Sequence, residues 1–179
     1  ADAWIDAALQ AIGRGGLAAV AVEPLAAELG VTKGSFYHHF ANRDALVTAV
    51  LERWEVIATQ AVIAAAEEGG TPRERLALLL RIVVRPLPED AIEAAIVFAG
   101  ADPLIRPIVR RVTQQRIDYL VSVFRDLGFS RSVAARRAHT AYAAYLGMLQ
   151  LEIDTPQRRS VRSARTFVDE LVEMFTTGA

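Results

Sequence analysis

Lys33, Gly34, Tyr37 and His38 lie within one stretch, VTKGSFYHHFANRD, and offer a cation, a phenol and an imidazole beside a residue with no side chain. On a helix over Thr32 to Phe40, Lys33 and Tyr37 are four apart, as are Gly34 and His38, and all four turn away from Phe36 and Phe40. The phenylalanines supply a packing face. The opposite face suits hydrogen bonding to phosphate oxygens and base edges by a helix laid in a major groove, with the glycine admitting a close backbone. The first N–H groups of such a helix, led by Thr32, add to its pull on phosphate, and Arg43 at the start of the next helix is placed to reach a neighbouring phosphate. A single Tyr or His on a surface is ordinary; the order of the residues around this pair gives it weight. His39 falls between the faces and is assigned no role. His38 and His39 point to different sides of a helix with no third ligand in view, so no metal site is read here.

Holding that face in place takes other helices, and the sequence carries their start and stop signals. Ile5, Leu9 and Ile12 predict a first helix stopped by Gly13, Gly15 and Gly16. Leu25, Ala26 and Leu29 predict a short second one, opened near Pro24 and closed by Gly30. Thr32 caps the third, with Val31 and Phe36 as a hydrophobic staple. Asn42 caps a longer helix whose stripe is Leu46, Val50, Trp54, Ile57 and Ala61, running to about Ala66. Thr71-Pro72-Arg73-Glu74 reads as a capping box opening a helix to about Val84. Pro86 and Pro88 precede a helix over 89–99. Asp102-Pro103, Gly128 and Thr155-Pro156 then delimit helices over about 106–127, 130–152 and 155–176. The expectation is an all-α protein of about nine helices.

The totals narrow the function classes. A chain of 179 residues that is 53% hydrophobic, with 7 Pro and 11 Gly, can bury a substantial helical core. With no Cys, three His and no acidic-histidine pairing of catalytic or metal spacing, neither an enzyme, a metal centre nor a cofactor is expected. Charged residues break every apolar run before membrane-spanning length, as Arg81 does in LALLLRIVV, and no leader precedes the first helix, so a cytoplasmic protein is expected. Net charge is −1, so any attraction for nucleic acid must come from placement of charge.

The stretches Ala7 to Gly16, LAAELGV, GSFYHHF and Asn42-Arg43, in that order and spacing, resemble the N-terminal pattern of the tetracycline-repressor (TetR) family of bacterial transcriptional regulators. The resemblance covers about Trp4 to Val50. It implies that residues 1–46 form a helix-turn-helix domain whose third helix presents Thr32, Lys33, Gly34, Tyr37 and His38 to double-stranded DNA, with Arg43 on a phosphate. Residues 47–179 would then form a helical regulatory and dimerisation domain. It further implies a repressor released from a palindromic operator by a small molecule. The large or hydrogen-bonding residues Trp54, Phe98, Tyr119, His139, Tyr142 and Met148 are the candidate lining for an apolar or aromatic effector, although core packing is the usual employment of such residues. A homodimer would form through the eighth and ninth expected helices, where Ala134, Ala138, Ala141 and Tyr145, then Ala164, Val168, Leu171 and Phe175, recur at helical spacing; the same residues serve equally as internal core. Two departures stand out. The second helix opens on Ala21 and Val22 where relatives carry Ser or Thr, and residues 1–50 hold three basic against five acidic side chains, a net of −2. That balance implies reliance on a basic N-terminal arm, or, as the alternative, a helical ligand- or partner-binding module that has lost specific DNA binding.

Overall fold

The computed structural model describes residues 1–84, 90–154 and 161–178. Its elements are α1 (Asp2–Gly15), a 3-10 turn (Leu17–Ala19), α2 (Val22–Leu29), α3 (Lys33–Tyr37), α4 (Arg43–Glu55), a π-helical turn (Val56–Gln60) and α5 (Ala61–Glu67). These are followed by α6 (Pro72–Val83), α7 (Asp90–Phe98), α8 (Arg106–Asp126), α9 (Arg131–Asp154) and α10 (Val161–Thr176). With α4, the π turn and α5 taken as one continuous run, the described residues form nine α-helices and no strand. The expected start of the last helix at Thr155-Pro156, and the prolines at 86 and 88, lie outside the described residues.

Short polar side chains open the helices by accepting from backbone N–H groups that have no partner within the helix. Asn42 Oδ1 accepts from Ala45 N at 2.9 Å, and Thr32 Oγ1 from Ser35 N at 3.4 Å. Thr71 and Glu74 close a full capping box, with Thr71 N donating to Glu74 Oε2 at 2.8 Å. Gly30 ends α2 in the left-handed conformation at φ 66°, which favours glycine and turns the chain toward α3.

Three local expectations need correction. The first helix ends at Gly15 with Gly16 as its cap, as expected, but Gly13 lies inside the helix and serves as a point of close approach. A Cβ there would lie 2.9 Å from Ile92 Cγ1 on α7, which packs against α1. Gly13→Ala should therefore lower the melting temperature. Alanine is the better helix former by about 1 kcal/mol, but overpacking against a stiff β-branched side chain costs about 1–3 kcal/mol, and Ile92→Ala in the same chain should relieve part of the strain. Second, α3 closes at Tyr37, leaving His38 and His39 in a turn; Phe40 N still bonds Phe36 O at 3.0 Å, so Phe40 returns to the core. Third, the apolar stripe of α4 fails at Ile57, which is 54% exposed, and at Ala61. A π turn holds more residues than an α turn and shifts the helix register, so Thr59 and Ala66 turn inward instead.

By packing, residues 1–58 and 90–112 form one compact unit, and residues 59–84, 113–154 and 161–178 another. The first is built on Trp4, Ile12, Leu25, Phe36, Leu46 and Leu51 together with Ile96, Ile105 and Val112. Two polar links stiffen it. Trp54 Nε1 donates to the buried Glu93 at 2.7 Å, and Arg111 grips the buried Glu55 with two donors, Nε at 2.9 Å and Nη2. The hydrogen bonds from Arg111 hold the Glu55 carboxyl below the usual glutamate range. The second unit is built on Leu76, Val123, Phe124, Ala134, Ala138 and Val172.

Candidate nucleic-acid interface

In α3 the alternation of apolar and polar positions separates the two faces. Phe36 is wholly buried, with its ring 5.3 Å from Trp4 in an edge contact and 5.6 Å from Phe40 in a stacked one. Thr32, Lys33, Gly34, Tyr37 and His38 are all exposed, Tyr37 at 57%. A Cβ added at Gly34 would meet only Thr32 Oγ1, at 3.7 Å, so nothing within the chain requires glycine at that helical position. The shortness of α3 leaves His38 just beyond the helix, beside the face it was expected to share.

The charges on this surface are paired. Lys33 Nζ lies 2.5 Å from Glu23 Oε1, in the first turn of α2. That hydrogen bond holds the Glu23 carboxyl below its ordinary range and the Lys33 ammonium above its own. Arg14 Nη2 donates to Glu28 at 2.7 Å. Arg43 Nε donates to Val20 O at 2.7 Å and Nη2 to Leu17 O at 2.6 Å, while Nη1 stands 3.6 Å from Asp44. Arg43 thus ties the start of α4 to the connector that leads into α2, a role that sequence reasoning did not assign. Sequence reasoning also passed over Glu23. The signal was available, since a first-turn acid on the second helix of a helix-turn-helix falls close to the third.

Residues 5–50 match the family model for bacterial regulatory proteins of the tetR family. The chain carries a TetR N-terminal domain. The TetR match ends within α4 and leaves the later helices uncovered. The chain is also 32% identical over 83 residues to the HTH-type transcriptional regulator BetI of Rhizobium meliloti, an alignment covering 46% of this chain and 41% of that protein. It therefore spans about two fifths of the length of the curated relatives it matches. Over nearly the whole chain the likeness is one of fold. A transcriptional regulator from Rhodococcus sp. Rha1 superposes with a TM-score of 0.82 at 24% identity, covering 99% of this chain and 96% of that one. A protein from Saccharomonospora viridis in complex with choline gives 0.82 at 19% identity, covering 96% and 94%.

Beyond the TetR domain, the six candidate ligand-facing residues fall into two sets. Trp54 and Phe98 belong to the first unit, the former buried on Glu93 and the latter 47% exposed. Tyr119, His139, Tyr142 and Met148 belong to the second. His139 is exposed on α9 with Nδ1 2.8 Å from Ala135 O. Tyr142 is buried, its hydroxyl 3.2 Å from Thr113 Oγ1, and its ring is 6.0 Å from that of Tyr145. Tyr119 donates to Glu67 at 2.7 Å, and burial followed by this bond pushes its phenol well above the ordinary tyrosine range. Met148 packs on the second core. The surroundings of these tyrosines are more polar than expected, with Arg116 donating to the buried Thr59 at 2.9 Å and Arg75 joining Glu67 and Asp126. Ala134, Ala138, Ala141, Val168, Leu171 and Phe175, named for dimerisation, are internal core. The outward residues of α9 and α10 include Ala143, Gly147, Leu151, Glu170 and Met174.

Proposed function

We propose that this chain is a ligand-responsive, DNA-binding transcription regulator of the cytoplasm, acting as a homodimeric repressor on a palindromic operator. In this reading residues 1–46 read DNA and residues 47–179 receive the effector and dimerise. The observation that carries the reading is the exposed face of α3 inside a TetR-type domain: Thr32, Lys33, Gly34, Tyr37 and His38 stand clear of the core, and the open space at Gly34 is available to an approaching backbone. Arg43 would reach phosphate through Nη1, since its other donors hold the Leu17–Val20 connector.

The effector acts through α4 or α7. Both lie in the unit that contains α3, joined by the Trp54–Glu93 hydrogen bond, and α7 also meets α1 at Gly13. A shift of either helix changes the separation of two recognition helices and their fit to half-sites about one helical turn apart. An apolar or aromatic effector suits either set taken by itself, Trp54 and Phe98 in the first unit or Tyr119, His139, Tyr142 and Met148 in the second. The choline held by the Saccharomonospora viridis protein adds a quaternary ammonium, for which an indole beside a carboxylate is a fitting partner.

Dimerisation uses the outward face of α9 and α10, where a Cβ at Gly147 would meet nothing and Ser163, Thr166, Phe167 and Glu170 line an open groove of about 370 Å³. Glycine inside a helix costs about 1 kcal/mol relative to alanine, and here it leaves room for a second helix. Gly147→Arg should yield a monomer in sedimentation, with an unchanged melting profile at low protein concentration and no operator binding. A dimeric Gly147→Arg variant would remove this face from the interface.

Selection of bound duplexes from random sequence, repeated with choline and with cell extract, tests the whole reading. A palindromic site that is released on effector addition is the expected result. The competing reading, a helical ligand-binding module without DNA function, draws on the net charge of −2 over residues 1–50. No enrichment at moderate salt would favour it.

A further inference from the structure

We propose that Glu23 competes with DNA phosphate for Lys33, so that an acidic side chain on α2 sets both the affinity of the α3 reading face and the steepness of its salt dependence. The inference rests on the DNA-reading function proposed above. Lys33 is the single lysine of the chain and the single cation of α3, and it is already bonded to a carboxylate. Glu23 and Lys33 have side chains 69% and 53% exposed, so a phosphate reaching Lys33 meets the carboxylate in the same solvent.

Nothing indicates that the pair is needed to hold the helices together. The α2–α3 connection is made by the left-handed Gly30, by the Thr32 cap and by the buried Leu25 and Phe36, whereas exposed ion pairs add little to stability. The other cations of residues 1–50 lie outside α3: Arg14 pairs with Glu28 from α1, and Arg43 on α4 spends two donors on carbonyls, leaving Nη1 for a phosphate of its own. A neutral Glu23–Lys33 pair releases no counterion on meeting DNA. Freeing Lys33 should add one phosphate contact per bound subunit, which corresponds for each subunit to a slope of about 0.9 in log K against log salt and to about tenfold in affinity near 50 mM salt.

The experiment measures binding of the full chain, as wild type, Glu23→Gln, Lys33→Ala and the double variant, to a random-sequence duplex pool and to sites selected from it, between about 50 and 200 mM salt. Glu23→Gln is expected to bind about tenfold tighter per bound subunit at the low end, with a slope steeper by about 0.9 per subunit, so that a dimer gains about 100-fold and its advantage falls roughly tenfold across the range. In the Lys33→Ala background the gain should vanish, as the coupling of a directly interacting pair requires. Unchanged affinity and slope would overturn the inference. So would a gain that survives Lys33→Ala, which would make Glu23 a general repulsive charge. Weaker binding of selected sites would overturn it too, by making Glu23 an acceptor for a base amino group such as that of cytosine. Retention of duplex by the wild type without any effect of Glu23→Gln removes this inference alone, whereas failure of both proteins to bind at low salt removes the DNA-reading function with it.

Discussion

Tyr37→Ala should abolish operator protection in footprinting while leaving the melting temperature nearly unchanged. The side chain is 57% exposed and its contact within the chain is an edge approach to Phe36 at 5.2 Å, worth at most about 1 kcal/mol at such exposure. Against DNA the loss is larger. A well-placed base contact contributes about 1–3 kcal/mol, and a dimer repeats it in both half-sites, so about 2–6 kcal/mol is at stake, a factor of roughly 30 or more. Gly34→Ala is the informative companion. It should raise helix stability by about 1 kcal/mol, since nothing in the chain crowds that position, and still weaken operator binding if a DNA backbone approaches there. Full protection by both variants would remove α3 as the reading helix.

Phe36→Ala should give the largest loss of stability in the first unit. The ring is fully buried between Trp4 and Phe40, and deleting a buried phenylalanine leaves a cavity and costs about 3–5 kcal/mol. Since whole domains are stable by only about 5–15 kcal/mol, the variant should melt many degrees lower and lose DNA binding as a consequence of unfolding. Phe36→Leu, which keeps most of the volume, should recover much of both. Tyr37→Ala and Phe36→Ala therefore fail differently, the first folded and the second not, and circular dichroism melting distinguishes them. A melting temperature for Phe36→Ala within a degree or two of wild type would contradict the packing described.

What could be read from the sequence was local. Thr32, Asn42, Thr71 and Gly30 mark helix ends because a cap or a left-handed turn acts within three or four residues, and Phe36 and Phe40 declare the packed face of α3 by their spacing. The exposed set Thr32, Lys33, Gly34, Tyr37 and His38 follows from the same periodicity. What escaped depends on separations that no periodicity encodes. The hydrogen-bond partners of Lys33 and Arg43 lie 10 to 26 residues away, so their pairing needs the tertiary turn of α2 on α3 and α4. The π turn escaped because VIATQ carries no breaker, and Ile57 was consequently placed on the wrong side of the helix. Glycine was read as a stop at position 13, where its missing side chain makes room for Ile92. The polar neighbours of Tyr119 and Tyr142 come from separate helices, and composition alone does not bring them together.

Because α7 and the first turns of α8 share a core with α1 and α3, the helices proposed to read DNA are not a detachable cartridge. Ile92, Ile96, Ile105, Ile108 and Val112 complete the same apolar interior as Trp4, Ile12 and Phe36. Splicing this reading head onto a foreign regulator at residue 46 would strand those side chains on one hybrid and their counterparts on the other. A functional graft should therefore carry residues 90–112 along with the first 58, as a discontinuous insert.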